Sequence, residues 1–249
     1  MNWRYLVGKS LDEALQSMCR LCIPGTRYIR GRYWIFDISK LYRRRNSTVQ
    51  RIVDAGANVG QTALYLRRWF KEADIYCFEP VKRTYRTLKV NTDRYSNIHA
   101  TNLALSSSSE NREIRLYPDS QLASFHLGES DKSVGYSSVG TQIVKCITLD
   151  DYFPDNESID ILKMDVQGHE IDVLKGAKKQ LENGRIHFVI GEAGFRSESR
   201  DCTFFPAFHE YLYSRGYFLC GFYDPLRHWD EKLLVSFCNV LYVNTLFKN

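Results

Sequence analysis

From Arg51 onward the chain alternates short apolar runs with longer amphipathic stretches. The apolar runs have strand length, and most of the segments between them space their apolar residues as a helix would. The pattern predicts strand 51–54 followed by helix 60–71, strand 74–78 by helix 81–93, and strand 97–101 closing at Asn102. It resumes with strand 159–164, helix 169–182, strand 186–191, helix 204–215 and strand 217–223, which should stop at Asp224-Pro225. A last apolar strand covers about 238–244. Between the halves lies a less regular insertion, about 112–149, with strands expected near 113–117 and 142–147. Gly128, Gly135 and Gly140 mark a loop in its middle. This alternation predicts an α/β fold: a Rossmann-like, doubly wound, mostly parallel seven-stranded sheet with helices on both faces.

Residues 1–50 stand apart as an N-terminal helical/β extension. Leu11, Leu15, Met18 and Leu21 fit an amphipathic helix over 9–21, and 32–38 reads as a strand or hairpin arm. The extension holds ten of the 34 Lys/Arg and three of the 29 Asp/Glu, so it is basic while the remaining 199 residues are slightly acidic. Its cations, including Arg43-Arg44-Arg45, suit a solvated face, contacts to an acceptor or partner, or an anionic surface. Nucleic acid is the less favoured partner, because no recognisable RNA-binding module precedes residue 51.

Composition narrows the rest. A hydrophobic fraction of 44% supports a substantial core in one large domain over 51–249. The seven cysteines are scattered, and Cys19-x-x-Cys22 has no second pair or histidine cluster to complete a zinc site. Reduced, buried thiols in a cytoplasmic protein are the expectation. No apolar run approaches membrane-spanning length, and the charges at Arg4, Lys9, Asp12 and Glu13 leave no signal-peptide apolar region. Contact with the inner face of a membrane would therefore be peripheral.

The chemistry concentrates where strands end. Ligands on open parallel sheets bind beyond the C-terminal strand ends. The first strand leads into Asp54-Ala55-Gly56-Ala57-Asn58-Val59-Gly60, a glycine turn that lets a ligand approach backbone. A dinucleotide fingerprint would need glycine where Asn58 stands, and no Gly-Lys-Ser/Thr sequence cradles a triphosphate. Successive strands are expected to end at Asp54, Glu79, Asn102, Asp165 and Glu192. Glu79 lies about 20 residues past the glycine turn, the separation of a ribose-binding acid. An acidic edge suits a cationic nucleoside without phosphates, and S-adenosylmethionine has that character.

The combination of Asp54–Gly60, Phe78-Glu79-Pro80, Asn102–Leu105, Leu149-Asp150-Asp151 and Lys163-Met164-Asp165-Val166-Gln167-Gly168-His169-Glu170, continuing to Ala177, resembles the FkbM family of class I S-adenosylmethionine-dependent methyltransferases. The resemblance covers roughly residues 50–220. It implies O-methylation of a hydroxyl on a sugar, glycan or natural-product scaffold, as in polysaccharide biosynthesis. Carried over position by position, Asp54, Gly56, Ala57, Asn58 and Gly60 would surround the methionine end of the cofactor. Glu79 would bind the ribose, Asn102 and Ala104 would border the adenine, and Asp165 would face the sulfonium. The family more often has Glu where this chain has Gln167, so no role is assigned to that position.

Methyl transfer to an alcohol needs alignment and a base. His169 is the candidate by its ordinary pKa, and Asp165 and Glu192 are the carboxylate candidates. No metal is expected, because Glu192-Ala193-Gly194 lacks the second acid or amide of a metal-binding pair. Two alternatives stay open. One is RNA ribose 2′-O-methylation, in which Lys163, Asp165 and Glu192 would move the proton. The other is a non-catalytic cofactor-binding protein.

Overall fold

A computed structural model describes residues 33–118, 123–125, 137–154, 157–197, 202–228 and 234–248. The expected helix at 9–21 lies outside the described residues. In chain order the elements are α1 (Trp34–Arg44), β1 (Arg51–Ala55), α2 (Gln61–Trp69), β2 (Asp74–Phe78), α3 (Lys82–Thr92), β3 (Ile98–Thr101), β4 (Ala104–Leu105), β5 (Asn111–Leu116) and β6 (Gly140–Ile147). There follow α4 (Leu149–Tyr152), β7 (Ile159–Met164), α5 (Glu170–Gly176), α6 (Lys178–Glu182), β8 (Ile186–Gly194), β9 (Thr203–Phe204), α7 (Phe205–Tyr213), β10 (Tyr217–His228), β11 (Leu234–Asn244) and a short 3₁₀ turn at Thr245–Lys248.

Seven strands line up as β10-β11-β8-β7-β1-β2-β3, and β9 adds a two-residue pairing to β8. From β8 to β3 all pairings are parallel, whereas β11 pairs antiparallel with both β8 and β10. The expected doubly wound, mostly parallel architecture is therefore present. β5 and β6, the strands expected within the insertion, join β4 from before it in a separate three-stranded sheet, β4-β6-β5, in which β5 and β6 pair antiparallel.

The central strands alternate between two cores, one on each face of the sheet. Val53, Leu162, Met164, Val189 and Ala193 pack against α4, α5, α6 and α7. Ile52, Ile75, Ile161, Phe188 and Ile190 pack against α1, α2 and α3. Burial on both sides is what a sheet clothed by helices requires.

Four local expectations are corrected. Residues 34–44 form a helix rather than a strand, because Trp34, Ile35, Ile38 and Tyr42 fall on one helical face and bury together. Their β-branched and aromatic character suggested a strand, and packing overrides that preference. Tyr42 pins this helix to the sheet, its hydroxyl donating to Asp160 Oδ1 at 2.6 Å. Helix 169–182 is broken at Ala177, whose φ of −107° and ψ of 17° separate α5 from α6. β8 runs through Glu192 to Gly194, so that acid sits inside a strand, one place before its last two residues. β10 continues past Asp224-Pro225 to His228 through an irregular register, with Asp224 at φ 50°.

Candidate functional site

A cavity opens beyond the C-terminal ends of β1, β2 and β7, where the alternation placed the chemistry. Its walls include Gly56, Ala57, Asn58, Glu79, Ala104, Asp165, His169 and Glu192, all singled out from sequence. It also includes Gln61, Thr62, Ile114 and Phe125, which were not assigned to the site, and Lys163, expected there only under the RNA reading. Asp54, Gly60 and Asn102 do not line it.

The turn after β1 makes the first wall. Gly56 has a φ of 75°, and a Cβ there would sit 1.9 Å from the Asp165 carbonyl oxygen. Two loops from different strands can touch only because this position has no side chain. Asn58 is also left-handed, at φ 50°. Its own amide donates to Glu79 Oε2 at 3.1 Å, and the Val81 amide donates to Glu79 Oε1 at 2.9 Å. Glu79 is thus fixed by backbone on both oxygens and is only 6% exposed. Burial pushes its carboxyl up to about 7, although the two amides pull the other way.

Asn102 acts behind this wall. Its side-chain amide donates to the carbonyls of Glu79 and Pro80 at 2.8 and 2.9 Å, which holds the turn after β2 in place. Gly60, at φ 90°, lets the start of α2 pass α3, since a Cβ would meet Leu88 Cδ1 at 2.8 Å.

The second wall follows β7. Lys163 stands in an otherwise nearly apolar strand and pairs in register with Asp54. Its Nζ lies 3.0 Å from Asp54 Oδ1 and 3.6 Å from Asp165 Oδ2. Burial alone would lower its pKa, but the two carboxylates outweigh that and hold the ammonium charged. Asp54 is fully buried; desolvation pushes its carboxyl up and Lys163 pulls it back. Lys163 is the buried counter-charge of Asp54, and among the described residues no other donor reaches either Asp54 oxygen. An acid beneath the glycine turn therefore needs a buried counter-charge. A charged residue inside strand 159–164 was the available sign of Lys163.

Asp165 carries the most exposed carboxylate of this group, with 44% of its side chain accessible. Gln167, left-handed at φ 54°, donates from Nε2 to Asp165 Oδ1 at 3.1 Å. Glu170 is completely buried, accepting from the Val166 amide and from the Thr203 hydroxyl at 2.6 Å. Burial pushes its carboxyl up to about 7. It ties the loop after β7 to β9.

His169 is 1% exposed. Its Nδ1 lies 3.1 Å from Asp172 Oδ2, and its Nε2 lies 3.0 Å from the Ser106 hydroxyl. Phe125 packs on the ring at 4.7 Å, and the Arg112 guanidinium lies 4.6 Å from the Phe125 ring and 3.4 Å from His169 Nε2. The Ser124 hydroxyl donates to the Gln167 carbonyl. Through these contacts the loop after β7 holds residues of the insertion against the cavity. Away from the cavity, the Tyr223 hydroxyl donates to Asp37, and His209 pairs with Tyr242.

The donor set suits S-adenosylmethionine. Asn58 Oδ1 is buried in the wall without a hydrogen-bond partner, a match for an ammonium donor. Glu79 keeps lone pairs for ribose hydroxyls beyond those taken by the amides. Among the described residues no group of three His, Cys, Asp or Glu is placed to hold a metal ion, and no helix is long and apolar enough to cross a membrane.

Comparison with known proteins agrees with this chemistry. A family model described as the methyltransferase FkbM domain matches residues 54–219. Methyltransferase sdnD of Sordaria araneosa is 30% identical over 157 residues, covering 52% of this chain and 61% of that protein. Methyltransferase 1 of Beauveria bassiana is 30% identical over 143 residues, covering 50% and 57%. Hexuronic acid methyltransferase AglP of Haloferax volcanii is 28% identical over 170 residues, covering 67% and 65%. The alignments thus span less than two thirds of each relative's length.

Proposed function

The chain belongs to the FkbM family of methyltransferase domains, and from that premise we propose that it is an S-adenosylmethionine-dependent O-methyltransferase acting on a hydroxyl of a sugar, glycan or natural product. The observation that carries this reading is the single cavity onto which Asn58, Glu79 and Asp165 all open. A hexuronic acid methyltransferase among the relatives makes a uronic acid the first acceptor to try.

The cofactor, when bound, supplies a methyl carbon already activated by a sulfonium. The protein's own work is then binding, alignment and proton removal. Asn58 Oδ1 accepts from the methionine ammonium, and Glu79 accepts from the ribose hydroxyls. Ala104, Ile114 and Phe125 supply the apolar side for the adenine. Asp165 is the carboxylate placed to take the acceptor's proton, with Glu192 on the same cavity as the second. Gln167 aims Asp165, and the Lys163 ammonium lies 3.6 Å from its other oxygen. His169, engaged at both ring nitrogens, serves better to position the loops than to accept a proton. The basic extension over residues 1–50 is assigned to acceptor or partner contacts.

RNA ribose 2′-O-methylation is the second reading, favoured only by Lys163, Asp165 and Glu192 sharing one cavity. Calorimetric titration with S-adenosylmethionine, then homocysteine release with uronic-acid glycans, neutral sugars and RNA, separates the readings. Binding with turnover on a glycan is expected. Well-folded protein that binds no cofactor would sink the proposal, and turnover on RNA alone would promote the second reading. Asp165→Ala should still bind cofactor but lose roughly 100-fold or more in turnover, the usual scale for removing a catalytic base. A non-catalytic role predicts no turnover to lose.

A further inference from the structure

The two faces of the sheet carry opposite charge. Helices α1, α2 and α3 cover one face and contain nine Lys/Arg against one acid, Asp37. Helices α4, α5, α6 and α7 cover the other and contain three Lys against six acids. The slightly acidic total for residues 51–249 conceals this segregation. Arg43, Arg44, Arg68, Lys82, Arg83, Arg86 and Lys89 are all exposed, and none pairs with a carboxylate among the described residues. Folding does not need such a face, since like charges crowded together repel.

We infer that the α1–α2–α3 face docks on an anionic lipid bilayer. Three helices laid side by side on a sheet offer a broad surface, which suits a bilayer better than a groove-binding partner. Val90 stands 79% exposed among the α3 cations and gives that surface an apolar foothold. Single-stranded nucleic acid adheres by stacking bases on free rings. Here Tyr95 is held between Arg67 and Arg94 at 4.2 and 4.7 Å, and Trp69 packs edge-on with Phe36. The face also adjoins the cavity, because α3 begins at Lys82, directly after the Glu79–Val81 turn. Docking would therefore bring the cavity rim to the bilayer surface. The inference rests on the helices themselves and stands whether or not the acceptor is a glycan.

The test is sedimentation of the full chain with vesicles of phosphatidylcholine alone or mixed with phosphatidylglycerol, across a range of salt. Binding to the mixed vesicles only, weakening as salt rises, is expected. Reversing three α3 cations (Arg83→Glu, Arg86→Glu and Lys89→Glu) should lower the vesicle partition coefficient by about 100-fold or more. The matched triple on the opposite face (Lys175→Glu, Lys178→Glu and Lys179→Glu) changes net charge identically and should lower it less than about threefold. Equal losses in the two triples would overturn the inference, leaving net charge or the N-terminal extension as the cause. No binding to mixed vesicles would overturn it too. So would single-stranded RNA that displaces the vesicles and loses affinity in the α3 triple.

Discussion

The two walls of the cavity hold their polar groups by different means. In the wall built from β1 and β2, backbone does the holding: Glu79 accepts two main-chain amides, and the Asn102 side chain ties down the carbonyls beneath it. In the wall built from β7, side chains hold side chains. Gln167 donates to Asp165, Thr203 to Glu170, and Ser106 and Asp172 bracket His169. A wall fixed by main chain tolerates sequence change only where the backbone path survives. A wall fixed by side chains can be retuned one residue at a time. That difference fits the main-chain-held wall serving the cofactor and the side-chain-held wall serving the acceptor.

Besides the backbone pairing of β1 with β7, two contacts join the walls, and breaking them should have the largest effects. Lys163 reaches Asp54 on one side and Asp165 on the other. Lys163→Met leaves the buried Asp54 without its counter-charge and should cost about 3–5 kcal/mol in urea unfolding. The double variant with Asp54→Asn should recover more than half of that loss. A cost below about 1 kcal/mol for the single change would show that the strut is dispensable. The second contact is Gly56 against the Asp165 carbonyl. Gly56→Ala meets that oxygen and a left-handed φ together, so a loss of about 3 kcal/mol is expected. Calorimetry should find cofactor binding abolished. An alanine variant with unchanged stability would mean that the walls can separate freely.

Glu79 sharpens the comparison, because its wall should respond to pH through one group. Below about 7 its carboxyl is protonated in the free protein, and it must lose that proton to accept from both ribose hydroxyls. Affinity for S-adenosylmethionine should therefore rise with pH up to about 7 and level off above it. Glu79→Gln should remove that rise and weaken binding at pH 8 by about 1.5–3 kcal/mol, the worth of hydrogen bonds to a charged group. A variant that binds as the parent does, with the same pH profile, would remove Glu79 from the site.

Much of this was legible in the sequence, and the failures share a cause. Strands 74–78 and 159–164 were placed to the residue, because their buried runs end at turns with definite chemistry. Asp165 was found as one of several acids at successive strand ends, and the Gly56 turn as glycines where a strand gives way to a helix. Lys163 entered the expected site only under the RNA reading, although a cation inside a buried strand is as anomalous as an acid beyond one. Its role depends on pairing in register with Asp54, 109 positions earlier, which local pattern does not reveal. The helix at 34–44 was misread for the same reason: the partners that bury Trp34 and Tyr42 come from strands far along the chain. The charge segregation between the sheet faces needed the topology before it could be seen.

The smallest effect expected concerns the β7 wall and its buried acid. Glu170 is pushed up to about 7 when folded, against an ordinary value near 4.5. The folded state then binds the proton more tightly than the unfolded chain does. The stability that this proton contributes is fully present below about 4.5 and is lost as pH rises through 7. That rise already includes the opposing hydrogen bonds from Thr203 and Val166, and across pH 5 to 8 it corresponds to roughly 2–2.5 kcal/mol. Glu170→Gln keeps an acceptor for one of those donors and cannot ionise. Its unfolding free energy should fall less between pH 5 and 8 than that of the parent, by that amount. Glu79 titrates over the same range from the other wall, so the Glu79→Gln single and the double variant must be measured beside it. Additive flattening would mean that the two walls titrate independently. A double variant that matches either single would mean that the Lys163 strut couples them, and that the division between a backbone-held and a side-chain-held wall is one of construction, not of energy.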